Sequence, residues 1–247
     1  MRIVAWPMRA SCHHGRARRL DPSTARWIDS RRLVASFVLV TFASDGDEVK
    51  VAAGKPCAAA VLRSARHTLL PFTEALVCER YIGWLNDPRV NRFLEVRHAR
   101  QTMDSGREFV RSVRQDAQRY FWAVTEGPER ELVGTATLYL NADRSSGEIG
   151  LLIGELDRWG RGTADETIDL VVQFGFAHLH LNRVTGGTYA NNMSMNFTLR
   201  RLGFVRETIV RQSHHLDDGT AVDEFRWGAA SAAWKPRTVM FVENATP

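Results

Sequence analysis

The clearest alternation of apolar and polar positions in this chain lies in Glu148–Gly154, where Ile149, Leu151 and Ile153 point one way. A period of two predicts a strand. From Thr163 the period changes to 3.6, and Ile168, Val171, Val172, Gly175, Phe176 and Leu179 share one helix face. Thr163 with Glu166 three residues later fits a capping box, which sets the expected helix start at Thr163. Arg183–Tyr189 reads as another strand. Residues 148–189 therefore form a strand–helix–strand unit, which requires a right-handed crossover and parallel pairing.

Upstream, His67–Phe72 predicts a strand, with Pro71 suggesting an edge position. Val77, Tyr81, Trp84 and Leu85 share a helix face that Asn86-Asp87-Pro88 ends. Val90–Phe93 predicts a helical turn, and Asp104–Gln118 a helix with Phe109, Val110 and Val113 inward. Tyr120–Val124 and Leu132–Leu140 pair as a hairpin about Glu126-Gly127-Pro128-Glu129. Downstream, Asn192–Arg201 predicts a helix, and Phe204–Arg211 with Ala221–Trp227 a hairpin about Asp217-Asp218-Gly219. The last twenty residues show no period.

Between the strand at 148 and the helix at 163 lies Asp157-Arg158-Trp159-Gly160-Arg161-Gly162. A glycine loop at a helix N-terminus is a phosphate cradle, because free N–H groups and the helix dipole favour an anion there. Glycines at 160 and 162 remove the Cβ atoms that would keep a diphosphate from the backbone. Asp165 and Glu166 suit the dipole but would repel phosphate, so both are expected to point sideways. No P-loop run occurs, and a dinucleotide fingerprint would need a third glycine where Asp165 stands.

This run resembles the acyl-CoA-binding motif of the GCN5-related N-acetyltransferase (GNAT) superfamily, Gln/Arg-x-x-Gly-x-Gly/Ala. Gly160, Arg161 and Gly162 fit it, and Asp157 stands where Gln or Arg is usual. Asn192–Phe204, an Asn-bearing helix closing on Leu202-Gly203-Phe204, resembles the second signature of the family. Tyr81–Pro88 looks like the opening helix of the branch that includes ribosomal-protein N-terminal and amino-sugar acetyltransferases. The three signatures occur in the right order over residues 66–228.

The resemblance implies an α/β (α+β) fold: a mixed, mostly antiparallel sheet with a splayed central parallel strand pair, flanked by helices. Pantetheine would fill the splay and pair with the strand at Gly150–Gly154, touching Leu152, Ile153 and Gly154. A backbone N–H near Leu151 or Leu152 would polarise the thioester carbonyl. Arg158, Gly160, Arg161, Gly162, Thr163 and Ala164 would hold the diphosphate, with Trp159 beside the cofactor. Asn192 would hydrogen-bond the pantetheine arm, cap its helix, or do both.

Glu148 is the candidate base, acting on the ammonium through one water; the alternative is an ion pair with a surface arginine. The family often places a tyrosine three residues before Leu-Gly-Phe as the acid for the thiolate. Leu199 occupies that position, so Ser194, Tyr189 or a water must serve, or proximity carries the rate. Glu95 and Arg97 lie on the segment that walls the acceptor pocket in relatives; an ordinary surface ion pair is the alternative. Arg200 and Arg201 are placed to approach the nucleotide phosphates. His180 and the pair His214-His215 read as structural or surface residues.

Charge placement narrows the partners. Residues 1–65 carry 11 Lys/Arg against 5 Asp/Glu, and residues 66–247 carry 22 against 23. The basic total therefore belongs to the first segment, and no nucleic-acid partner is expected of the folded part. Residues 1–65 read as a basic, poorly ordered extension or an upstream start, with a signal or transit segment as alternatives. Its apolar run Leu33–Ala43 is too short to span a bilayer, so no membrane partner is expected. Cys12, Cys57 and Cys78 lack metal-ligand spacing, and Cys12-His13-His14 has no second ligand pair. Three cysteines suggest a reducing, cytoplasmic location. Residues 229–247 read as a C-terminal tail.

The expected function is N-acetylation by direct attack, with acetyl-CoA as co-substrate and no metal. The acceptor would be a small-molecule amine or a protein N-terminus, and a homodimer is compatible with the resemblance. A protein that holds CoA without turnover, or a nucleotide-binding regulatory module, remains the alternative.

Overall fold

A computed structural model describes residues 60–216 and 218–243. The expectations for the first 59 residues, including the Cys12-His13-His14 cluster and the Leu33–Ala43 run, lie outside the described residues. Among the described residues nine strands form one sheet. They are β1 Val61–Arg63, β2 His67–Pro71, β3 Arg119–Glu126, β4 Glu131–Leu140, β5 Ser146–Ile153, β6 Arg183–Tyr189, β7 Val205–His215, β8 Ala221–Ala230 and β9 Phe241–Glu243. Their order is β7-β8-β6-β5-β4-β3-β2-β1-β9. Only β5 and β6 pair in parallel. The helices are α1 Glu79–Asn86, α2 Pro88–Asn91, α3 Met103–Gln115, α4 Thr163–Ala177 and α5 Met193–Leu202.

Alternation along the strands assigns the two faces. Ile149, Leu151 and Ile153 of β5 pack with Ile168, Val171 and Val172 of α4 and Met195 and Leu199 of α5. Leu152 faces the other way, into a cluster with Trp84, Leu85, Val110 and Phe121. The sheet therefore has α4 and α5 on one face and α1 and α3 on the other. This is the mixed, mostly antiparallel architecture expected, with its single parallel pair near the middle. No helix of the described residues is long and apolar enough to cross a membrane.

Three local expectations are corrected. Helix α4 starts at Thr163, but its cap residue is Gly162 and no side chain caps it. The expected Thr163–Glu166 capping box does not form, because Glu166 turns to Ser64, the Arg66 guanidinium and His67 Nδ1. The capping box in the structure belongs to α3, where Thr102 and Ser105 satisfy each other's backbone N–H groups. Pro71 does not mark an edge strand: β2 lies between β3 and β1. Its partner β1 reaches only Thr68 and Leu69, so the missing N–H of Pro71 costs that ladder nothing. Finally, strands occur beyond both expected limits of the folded part. Val61–Arg63 and Phe241–Glu243 pair with each other, and β8 runs on to Ala230.

Candidate active site

The register of the parallel pair creates the site. Ser146 pairs with Arg183, Gly147 with Val184 and Glu148 with Thr185, and no further rung follows. Strand β5 stays bound to β4 as far as Ile153, and β6 stays bound to β8 as far as Tyr189. The edges of Ile149–Ile153 and Gly186–Tyr189 therefore face one another unpaired. Gly186 and Gly187 add no side chain to the opening. A strand edge with free N–H and C=O groups accepts an extended amide chain as it would another strand.

At the open end of β5 the chain enters the glycine loop. Gly160 and Gly162 have φ of 74° and 82°, a left-handed conformation that costs an L-residue roughly 1–2 kcal/mol. The loop is tied down from two sides. The Trp159 indole N–H donates to the Ile153 carbonyl at 2.8 Å, and Arg66 Nη1 donates to the Arg161 carbonyl at 3.1 Å. Gly154 sits flat against Trp84: a Cβ there would lie 1.9 Å from the Trp84 ring. The first-turn N–H groups of α4 have no intrahelical acceptor and open onto the loop.

The acids of that first turn are directed sideways, as charge repulsion requires. Asp165 accepts from the Arg201 guanidinium. Burial opposes ionisation of Glu166, but His67, Ser64 and Arg66 outweigh it and hold the carboxyl at about 2. Arg158 is engaged by Glu126, Glu131 and Asp157. Of the buried polar side-chain atoms without a hydrogen-bond partner among the described residues, two lie at helix starts: Thr163 Oγ1 in the first turn of α4 and Asn192 Nδ2 at the start of α5. The Asn192 Oδ1 accepts from Met195 N–H at 3.3 Å, so the residue caps α5 and keeps its amide N–H₂ spare. An amide- and diphosphate-bearing ligand would supply the acceptors these donors lack.

The structure brings Tyr189 to the turn that carries Glu95 and Arg97, 94 and 92 residues earlier in the chain. The Tyr189 hydroxyl donates to Glu95 Oε1 at 2.7 Å and accepts from Arg97 Nη1 at 2.8 Å. Arg97 also donates to the Leu94 and His215 carbonyls. Burial, then Glu95, pushes the Tyr189 hydroxyl well above its ordinary range. The hydroxyl therefore keeps its proton, which it donates in the hydrogen bond to Glu95. Glu148 is half-buried at the closed end of the opening, Ser194 is exposed on the first turn of α5, and Leu199 is wholly buried core.

His214 is the residue that sequence reasoning placed too lightly. It is 3% exposed, stacks on Tyr189 with ring centroids 3.9 Å apart, and lies between two carboxylates. Nδ1 is 3.3 Å from Glu95 and Nε2 is 3.3 Å from buried Glu224. Burial alone would lower its pKa, but Glu224 and Glu95 raise it above the ordinary imidazole value. The available signal was the pairing of His214 with Val222 in the β7–β8 hairpin, which two register shifts obscure.

A sheet whose single parallel pair opens above a two-glycine helix mouth is the arrangement expected of an acetyltransferase fold. The acetyltransferase (GNAT) domain profile matches residues 66–205, and the chain belongs to that family. An uncharacterized N-acetyltransferase of Bacillus subtilis strain 168, YoaA, is 32% identical over 103 residues, covering 41% of this chain and 57% of that protein. The chain thus spans little more than half of that relative's length. A second relative, the uncharacterized N-acetyltransferase p20 of Bacillus licheniformis, is 26% identical over 133 residues, 51% of this chain and 72% of that one. Among solved structures, a GNAT-family acetyltransferase from Bacillus anthracis aligns with a TM-score of 0.61 at 18% identity, covering 70% and 99% of the two chains. Spermidine N-acetyltransferase from Vibrio cholerae, solved with CoA and spermine, aligns at 0.61 and 18%, covering 67% and 96%.

Proposed function

We propose that this chain transfers the acetyl group of acetyl-CoA to a primary amine by direct attack. The observation that carries this is the end of β5–β6 pairing at Glu148–Thr185, on the strand that leads into the Gly160–Gly162 loop. Acetyl-CoA, as co-substrate, supplies an activated thioester carbonyl. The edge Leu151, Leu152, Ile153 and Gly154 receives the pantetheine, with Asn192 Nδ2 as a side-chain donor. Backbone N–H groups of Arg158, Gly160, Arg161, Gly162, Thr163 and Ala164 cradle the diphosphate, while the Arg158 side chain anchors the loop. Ile153 O, already bonded to Trp159, is excluded as a free acceptor.

Glu148 takes the proton of the acceptor ammonium. Glu95 and Arg97 wall the acceptor pocket, and Tyr189 positions them. With its proton committed to Glu95, Tyr189 is a poor acid for the thiolate, which leaves Ser194 or water for that step. The acceptor is a small amine or a protein N-terminus, and Tyr81–Pro88 supports the branch of ribosomal-protein and amino-sugar acetyltransferases. The enzyme is placed in the cytoplasm, with a homodimer as the assembly to test by sedimentation.

Thiol release from acetyl-CoA across a panel of amines, with Glu148→Gln alongside, tests the reading. Turnover with at least one amine, lost in the variant, supports it. The burial of Leu199 where relatives carry an acid favours a second reading, a CoA-holding protein without turnover. CoA binding with no turnover for any amine would establish that reading instead.

A further inference from the structure

The turn between β1 and β2 reaches the glycine loop at several points, although it belongs to neither strand of the parallel pair. The turn itself is closed by the Ser64 N–H, which donates to the His67 carbonyl at 2.9 Å. The Ser64 hydroxyl accepts from the His67 N–H at 3.0 Å and donates to Glu166 in the first turn of α4. Arg66 makes two contacts: Nε donates to Glu166 Oε2 at 2.8 Å and Nη1 to the Arg161 carbonyl at 3.1 Å. His67 is 1% exposed, with Nδ1 3.0 Å from Glu166 and Nε2 3.7 Å from Glu126. Neither ring nitrogen makes a well-aligned hydrogen bond among the described residues, so the ring holds its place by packing and by nearness to the two carboxylates. His67 is also the ladder partner of Glu126, which anchors it in the sheet. Glu126 in turn engages Arg158, two residues before Gly160.

We propose that Ser64, Arg66 and His67 form a latch that sets the shape of the glycine loop before its ligand arrives. This rests on the CoA reading of the loop above. Gly160 and Gly162 leave the loop with more conformational freedom than other residues would, and a ligand would otherwise have to remove that freedom on binding. The latch grips the loop at three places. It holds Arg158 before the glycines through Glu126, the Arg161 carbonyl between them through Arg66, and Glu166 after them through all three residues. The N–H groups that face the diphosphate lie between those grips. His67 is buried and does not touch the ligand, so it is a positioning residue that acts through Glu166 and Glu126.

The test compares Arg66→Ala, Arg66→Lys and His67→Gln with the wild type in two measurements. One is amide hydrogen exchange over residues 157–166 in the ligand-free chain, and the other is calorimetric affinity for CoA. Arg66→Ala and His67→Gln are each expected to speed exchange in that stretch by about ten-fold and to weaken CoA by about ten-fold. Exchange in the β7–β8 hairpin, at the other end of the sheet, is expected to stay within about two-fold. Arg66→Lys keeps the charge without the fork of donors and is expected to fall between wild type and Arg66→Ala. The Arg66 side chain is 46% exposed, so its replacement does not endanger folding, and it decides the test if His67→Gln fails to fold. CoA affinities within about two-fold of wild type overturn the latch while the CoA reading stands. Exchange that rises equally along the whole chain, the mark of lost stability alone, also overturns it. So does weaker CoA binding by Arg66→Ala with unchanged exchange, which would assign Arg66 to direct contact with the ligand. Failure of the wild-type chain to bind CoA overturns both readings.

Discussion

Glu148 and Thr185 form the last rung between the two parallel strands. A carboxylate is thus held where the sheet stops being a sheet, with polar main chain on both sides of the opening. Tyr189 lies four residues beyond Thr185, about 13 Å further along the strand. The opening therefore has a carboxylate at its closed end and a wall of Glu95, Arg97 and Tyr189 towards its mouth.

Glu148→Gln keeps the shape and hydrogen-bonding length of the side chain but removes its basicity. Loss of a general base is expected to lower kcat/KM by about 100-fold. CoA affinity, measured by calorimetry, is expected to stay within about two-fold. Retention of most of the activity would move the base elsewhere.

Gly162 adopts φ 82° as the cap of α4, and an added Cβ would also approach the Arg66 guanidinium at 3.4 Å. Gly162→Ala is expected to cost about 1–2 kcal/mol in urea unfolding. The same strain falls on the N–H groups of the cradle, so CoA binding is expected to weaken by ten-fold or more. Unchanged affinity would show that the loop does not grip the ligand.

Gly154→Ala introduces a methyl group into the plane of Trp84, which is itself 7% exposed and cannot swing freely. Overpacking of this kind costs about 3 kcal/mol. Pairing the substitution with Trp84→Phe is expected to recover part of the loss, so a double-mutant cycle should show clear coupling. Additive effects would refute the contact.

His214 has a raised pKa, so the folded state binds its proton more tightly than the unfolded state does. The stability this supplies is fully present below the ordinary imidazole value of about 6.5 and is lost as pH rises through the folded value. Thermal unfolding from pH 6 to 9 is expected to show the wild-type chain losing its advantage over His214→Gln. Parallel curves for the two proteins would contradict the assignment.

Glu166 behaves in the opposite sense. Its carboxyl is held at about 2, against 4.5 in the unfolded chain, so it stabilises above pH 4.5 and ceases to do so as pH falls towards 2. The effect is on the order of 3 kcal/mol for a side chain that is 10% exposed. Urea unfolding at pH 7 and pH 3 is expected to separate wild type from Glu166→Gln at the higher pH and to narrow that gap by roughly half at the lower one, the two proteins meeting only as pH falls below the folded value.

What the sequence revealed and what it hid divide by range. The strand at Ile149, the helix at Ile168 and the glycine pair depend on neighbours a few residues away, and periodicity displays them directly. Strands β1 and β9 have three residues each and exist because they pair with each other across the whole described chain, which no local pattern encodes. Thr163 and Glu166 matched a capping motif, yet Ser64, Arg66 and His67, about a hundred residues earlier, captured the glutamate. His214 sits in an edge strand whose neighbours are mostly exposed, so its burial follows only from Tyr189 and Glu224 closing over it.

The short pairing of Val61 with Glu243 bears on how the molecule can be handled. It fastens the two ends of the described chain side by side at one edge of the sheet, with β9 outermost and β1 next to it, about 24 Å and about 19 Å from β5. A peptide linker joining those ends would cross almost no distance, and new termini opened at Gly127 or Gly219 would fall in hairpin turns. Rearranged chains of this kind would carry immobilisation handles away from the opening between β5 and β6.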